Sequence, residues 1–128
     1  MILKNNTNHK IVPKLWGYEI WIENNNLYCG KHLHVMPNKL CSVHFHKNKK
    51  ETFYVIDGEL LLNYSSNINK KDWIDGNINT IILKRGESFT IEPMIAHRFT
   101  SNTNYSCNFI EISTHHDDED SYRIIESI

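Results

Sequence analysis

A chain of 128 residues, 40% of them apolar, can close one hydrophobic core and reads as a single domain over 1–128, with no room for a second. A formal net charge of −1 offers no basic field to a nucleic-acid backbone. No apolar run approaches the length of a membrane span, so neither nucleic acid nor membrane is an expected partner.

Three cysteines, Cys29, Cys41 and Cys107, are an odd number without metal-type pairing, and the start "MILKNNTNHK" has no apolar leader. Both point to a cytoplasmic protein rather than a secreted disulfide framework. Asn-x-Ser/Thr triplets at Asn5, Asn63 and Asn104 are expected by chance in so asparagine-rich a chain.

In chain order, β-rich runs follow one another: "YEIWI", "YCGKHLHV", "CSVHFH", "TFYVI", "ELLLNY", "NTIIL", "SFTI", "HRFT" and "SCNFIEI". Asparagine, glycine, proline and lysine clusters separate them, and no segment carries the periodicity of a long amphipathic helix. The pattern predicts an all-β sandwich or small barrel. Asp57-Gly58 lies between two apolar runs and predicts a two-residue hairpin pairing residues 52–56 with 59–64. "SSNINKKDWIDGN" reads as a polar excursion, and "DDED" near the end as a short helix or surface loop.

The stretch "SVHFHKNKKETFYVIDGE" concentrates the chemistry. Residues two apart on a strand share a face, so His44 and His46 project together while Val43 and Phe45 face the other way. "KNKK" turns the chain, and Glu51 opens the next strand, with Phe53 and Val55 on its own face. Two imidazoles and a carboxylate suit one divalent transition metal ion, with Zn, Mn, Fe, Ni and Co not distinguishable. His97, at the start of "HRFT", is the best third imidazole, because it too opens a strand.

"HFHKNKKETFYVIDG" resembles the first motif of the cupin superfamily, through His44, His46, Glu51 and Gly58. "GESFTIEPMIAH" is similar to the second, through Gly86, Pro93 and His97. Three residues depart from the pattern: Asn38 replaces a glycine before the first motif, Glu92 a proline, and Met94 a glycine. Asparagine tolerates a left-handed turn. Methionine does so at a cost, which predicts a different turn shape ahead of His97. The flanks "KLWGYEIWIENNNLYCGKHLHV" and "FIEISTHHDDEDSYRI" extend the likeness over 14–124, toward small single-domain cupins resembling type II mannose-6-phosphate isomerases.

The resemblance implies a cupin-type β-barrel, a double-stranded jelly roll, holding a metal through His44, His46, Glu51 and His97. It further implies interconversion of an aldose and a ketose, on a sugar or sugar phosphate, through a metal-stabilised enediolate. Glu51 is committed to the ion, so Glu111 is the candidate base, provided it faces inward with Cys107 and Phe109. Alternation alone equally allows Ile110 and Ile112 to face inward and leave Glu111 in solvent.

Lys31 is a candidate for stabilising negative charge, on the face of Cys29, Leu33 and Val35; its competing reading is a strand-end lysine reaching water. That placement turns His32 and His34 outward. Arg123 and His115 are candidate substrate contacts, against the reading of a solvated tail. Family analogy adds a homodimer to which "YEIWI" contributes. Two other functions stay open: a non-haem metal dioxygenase, and a sugar-binding cupin without turnover.

Overall fold

The computed structural model describes residues 1–128. Eleven strands form two antiparallel sheets. They are β1 (Lys10–Lys14), β2 (Gly17–Asn24), β3 (Cys29–Val35), β4 (Val43–Phe45), β5 (Glu51–Asp57), β6 (Glu59–Ser65), β7 (Asn79–Lys84), β8 (Ser88–Ile91), β9 (Ala96–Ser101), β10 (Cys107–Ser113) and β11 (Tyr122–Ile125). One sheet has the order β1-β2-β3-β10-β5-β8, and the other β11-β4-β9-β6-β7. This is the expected all-β jelly roll. Helix is confined to α1 (Lys70–Ile74) and a 3₁₀ turn over Asp118–Asp120, and no helix is long and apolar enough to cross a membrane.

Strict alternation builds the core between the sheets. In β3 and β10 every second residue is buried, which brings Leu33, Val35, Cys107 and Phe109 inward. They meet Leu60, Leu62 and Phe99 of the facing sheet, and edge-to-face contacts join Phe53, Phe99 and Phe109 with centroids 5.1–6.0 Å apart. Outside the second sheet, Val43, Phe45 and Ala96 pack on Trp73 of α1, whose indole N–H donates to the Asn67 carbonyl at 2.9 Å. The polar excursion thus holds a helix that covers this face. The three thiols are free and buried, and burial pushes Cys41 and Cys107 up to about 12. They pack as small apolar groups.

Two expectations need correction. Asp57-Gly58 does not make a hairpin, since β5 pairs with β10 and β8 while β6 pairs with β7 and β9. Both edges of each strand are already occupied, so the link carries the chain from one sheet to the other. Gly58 permits the crossing with φ +82, and a Cβ there would lie 2.9 Å from the Ser106 carbonyl oxygen. Met94, expected to avoid the left-handed region, enters it with φ 71. Its N–H donates to the His46 carbonyl at 2.7 Å, which offsets a conformational cost of about 1–2 kcal/mol. Asn38 takes φ 61, as its side chain allows.

Strands β1 and β11, in "KIVPK" and "YRII", lie outside the runs picked from composition. Both are sheet edges, where Pro13 or a mixed polar pattern is tolerated. Gly17 is the most tightly enclosed of the glycines, since a Cβ would lie 1.8 Å from the His34 carbonyl oxygen across the β2–β3 ladder. Gly17→Ala is therefore expected to cost about 3 kcal/mol of unfolding free energy in urea denaturation. Gly76→Ala, at φ +79 but in open space, is expected to cost about 1 kcal/mol.

Candidate metal centre

Between the sheets lies a cavity of about 650 Å³, and both walls contribute polar side chains to it. From one wall come His44 in β4 and His46 just after it, and His97 in β9, which pairs directly with His44, is fully buried beside them. From the other come Glu51 at the start of β5, Glu111 in β10 and Lys31 in β3; Glu111 and Lys31 are cross-strand partners. Alternation explains the convergence, because the faces that carry Leu33, Phe53 and Phe109 into the core carry these residues in at the strand ends.

Each of the three imidazoles is pinned at Nδ1. His44 donates to the Ser42 carbonyl at 3.0 Å, His46 to the Asp120 carbonyl at 2.8 Å and His97 to the Ile95 carbonyl at 2.9 Å. A proton on Nδ1 leaves Nε2 as a bare lone pair. The ligating atoms of the three residues lie within 4.8 Å of one another. Burial, with the other two imidazoles behind it, holds the His44 pKa well below its ordinary value, and burial also lowers His46. Neutral imidazoles converging on one point are what metal ligation requires.

Glu51 adds the anionic component. It is 2% exposed, with one oxygen 2.8 Å from His97 Nε2 and the other 3.7 Å from His46 Nε2. Burial opposes its ionisation, but His97 and then Lys49 hold the carboxyl well below the usual range. Burial likewise opposes charge on His97, and Glu51 reverses that and lifts the imidazole. Glu51 Oε2 and His97 Nε2 are buried without a hydrogen-bond partner. His44, His46 and His97 could hold one metal ion, and Glu51 Oε1 lies against Nε2 of His97 beside them. The donor set of nitrogens and an oxygen fits such an ion.

Lys31 and Glu111 both face the cavity, 2% and 5% exposed. The open alternation of β10 resolves with Glu111 inward and Ile112 exposed. Lys31 Nζ lies 3.5 Å from Glu19 and 4.4 Å over the Trp21 ring, with Lys10 Nζ 4.3 Å from the same ring. His32 and His34 do face outward, and both share Asn108 Oδ1. Arg123 lines the mouth, paired with Glu126 at 3.0 Å. His115, expected at the substrate, lies outside this cavity: it is exposed and donates to the Asn25 carbonyl at 2.9 Å. Its neighbour His116 lines the cavity instead, because successive residues of an extended segment point opposite ways.

Sequence reasoning missed Lys49. "KNKK" reads as a solvated turn, and Lys47 and Lys50 do sit at the surface, over Tyr122 and beside Glu92. Lys49 is 3% exposed, with Nζ 2.6 Å from Glu111, 3.2 Å from Glu51 and 2.9 Å from His116 Nδ1. Burial disfavours its charge, and Glu111 and Glu51 more than reverse this. The turn takes this shape because the Asp120 carboxylate accepts the backbone N–H groups of Lys47, Asn48 and Lys49.

Residues 31–113 match the family model of the cupin domain. No curated protein sequence matches the chain. Similar solved structures include the capsular polysaccharide assembling protein CapF from Staphylococcus aureus, with TM-score 0.76 and 15% identity over 95% of this chain and 36% of that one. Oxalate decarboxylase from Bacillus subtilis, which has Mn(II) centres, gives 0.72 and 16% over 89% and 29%. L-ribose isomerase from Cellulomonas parahominis gives 0.71 and 16% over 83% and 68%. The chain thus spans about a third of the CapF chain, and at these identities the likeness carries the fold. Loading with Zn²⁺ or Mn²⁺ at about a hundred times its Kd is expected to add about 2.7 kcal/mol to stability. Calorimetry checks this as a rise in Tm that chelation reverses and His97→Ala abolishes.

Proposed function

The chain belongs to the cupin family, and from that premise we propose that it is a metal-dependent isomerase interconverting an aldose and a ketose, mannose-6-phosphate isomerase-like, with a sugar or sugar phosphate as substrate. The observation that carries this reading is a second buried carboxylate, Glu111, in the cavity lined by Glu51, His44 and His46 and not needed by the imidazole triad. A site that only held an ion or recognised a ligand has little use for a second ionised acid, since burying one is costly.

His44, His46, His97 and Glu51 would hold a divalent ion, which when bound supplies Lewis acidity to a carbonyl and its neighbouring hydroxyl. The remaining work falls to the chain's own groups. Glu111 takes the proton from the hydroxyl-bearing carbon next to the carbonyl and returns it to the former carbonyl carbon, while the hydroxyl proton passes to the former carbonyl oxygen, so that the step balances around one base. Although burial favours its neutral form, Lys49 keeps it ionised and able to accept. Lys31, on the same wall, faces the charge that develops on the substrate oxygens.

Phe53 and Phe99 close the inner end with apolar surface and exclude water from a proton that must be returned rather than lost. Arg123 and His116 stand at the mouth, where the far end of a sugar or its phosphate would lie. The reading includes a cytoplasmic homodimer. Free buried thiols suit a reducing compartment, and Ile22, Tyr54 and Ile112 leave apolar surface on the outer face of the six-stranded sheet for a second copy.

The test is an anaerobic screen of aldoses, ketoses and their phosphates with metal-loaded protein. Interconversion without oxygen is expected. Oxygen uptake with substrate would instead indicate a dioxygenase, and saturable binding without turnover a recognition module. Glu111→Gln is expected to lower kcat by about 10²- to 10⁴-fold, with metal content by elemental analysis unchanged.

A further inference from the structure

Lys49 is the one cation of its turn that the fold draws inside, and its ammonium is enclosed by two carboxylates and an imidazole. An ammonium has three donors, and its three near neighbours are Glu111 at 2.6 Å, Glu51 at 3.2 Å and His116 Nδ1 at 2.9 Å. The two carboxylates come from different strands, β5 and β10, and the imidazole from the segment after β10. His116 Nε2 is in turn 2.8 Å from Asp118, in the 3₁₀ turn at the cavity mouth. A lysine ammonium cannot accept a hydrogen bond, so His116 must accept at Nδ1 and donate from Nε2 to Asp118.

The position of this ammonium has a consequence for the metal centre. Glu51 and Glu111 line one cavity with His44 and His46, next to the buried His97, and a carboxylate is as much a metal-ligand type as an imidazole. Glu51 reaches both ways, with Oε1 on His97 and Oε2 3.2 Å from Lys49, whereas Glu111 is held by Lys49 alone, at 2.6 Å. We propose that Lys49 is a positioning residue that divides the labour of the two carboxylates: it holds Glu111 out of the coordination shell and free for the substrate, leaves Glu51 as the single carboxylate ligand, and fixes the His116 tautomer at the mouth. The role assigned to Glu111 rests on the isomerase reading above. The coordination and tautomer roles do not.

The experiment uses Co²⁺ as the probe, because its visible absorption reports coordination number, with Lys49→Met, Lys49→Arg and the double variant Lys49→Met/Glu111→Gln. Lys49→Met frees Glu111 to ligate, so the Co²⁺ bands are expected to weaken about two- to fivefold as a ligand is added, in line with the geometric preferences of such ions. The double variant, which has no second carboxylate to offer, restores the bands of the wild type. It also removes the uncompensated buried charge, so it carries the test should the single variant fail to fold.

Nitrogen-15 spectra of His116 are expected to change from the Nε2–H to a mixed tautomer in Lys49→Met, and to stay unchanged in Lys49→Arg, which keeps a donor there. With a substrate in hand, Lys49→Met is expected to lower kcat by about 10²-fold or more while KM moves less than about threefold, as a misplaced base does. Unchanged Co²⁺ bands and His116 spectra in Lys49→Met would overturn the proposal, whatever the activity. Absence of turnover in the wild type would overturn the isomerase reading and leave the spectroscopic arms to decide Lys49 alone.

Discussion

Three backbone carbonyls, those of Ser42, Ile95 and Asp120, decide what the cavity can do. By accepting from Nδ1 of His44, His97 and His46, they aim Nε2 of all three toward one point. Two of these contacts are local, between residues two apart, and come with the strand geometry. The third spans 74 residues, so His46 is oriented only when the C-terminal segment is in place. The Asp120 carboxylate also shapes the Lys47–Lys49 turn, so one residue aims both a candidate ligand and the buried ammonium.

The cost of this arrangement argues for its use. Glu51, Glu111, Lys31 and Lys49 are all nearly solvent-free. Buried ion pairs seldom stabilise a fold more than well-packed apolar residues of the same volume would. The aromatic cluster of Phe53, Phe99 and Phe109 lies directly below and is the kind of packing the cavity forgoes. Here the fold keeps four ionisable side chains where it could extend that cluster, and pairs Lys49 with both carboxylates.

Much of this was legible in the sequence, for a definable reason. Period-two alternation places His44 beside His46, turns Val43 and Phe45 to the far side, and puts Lys31 with Cys29, Leu33 and Val35, because a strand leaves its side chains only two directions. The illegible parts are those that alternation does not govern. Asp57-Gly58 has hairpin chemistry, yet the edges of β5 and β6 were already taken, and pairing is a property of the whole sheet. Lys49 sits in a turn, where direction is set by the distant Asp120. His115 and His116 differ by one residue, and only the docking of that segment decides which of them faces inward. Met94 shows that a local conformational penalty yields when a tertiary hydrogen bond holds the turn.

Trp21 is placed to act as an optical element. Its indole is flanked by the ammoniums of Lys10 and Lys31, at 4.3 and 4.4 Å from the ring, and the His116 imidazole meets it edge-on at 5.2 Å. Charges so close to an excited indole shift its emission colour. Anything that enters from the mouth and draws Lys31 or His116 toward itself will therefore alter that emission, giving the protein a label-free indicator of its own occupancy.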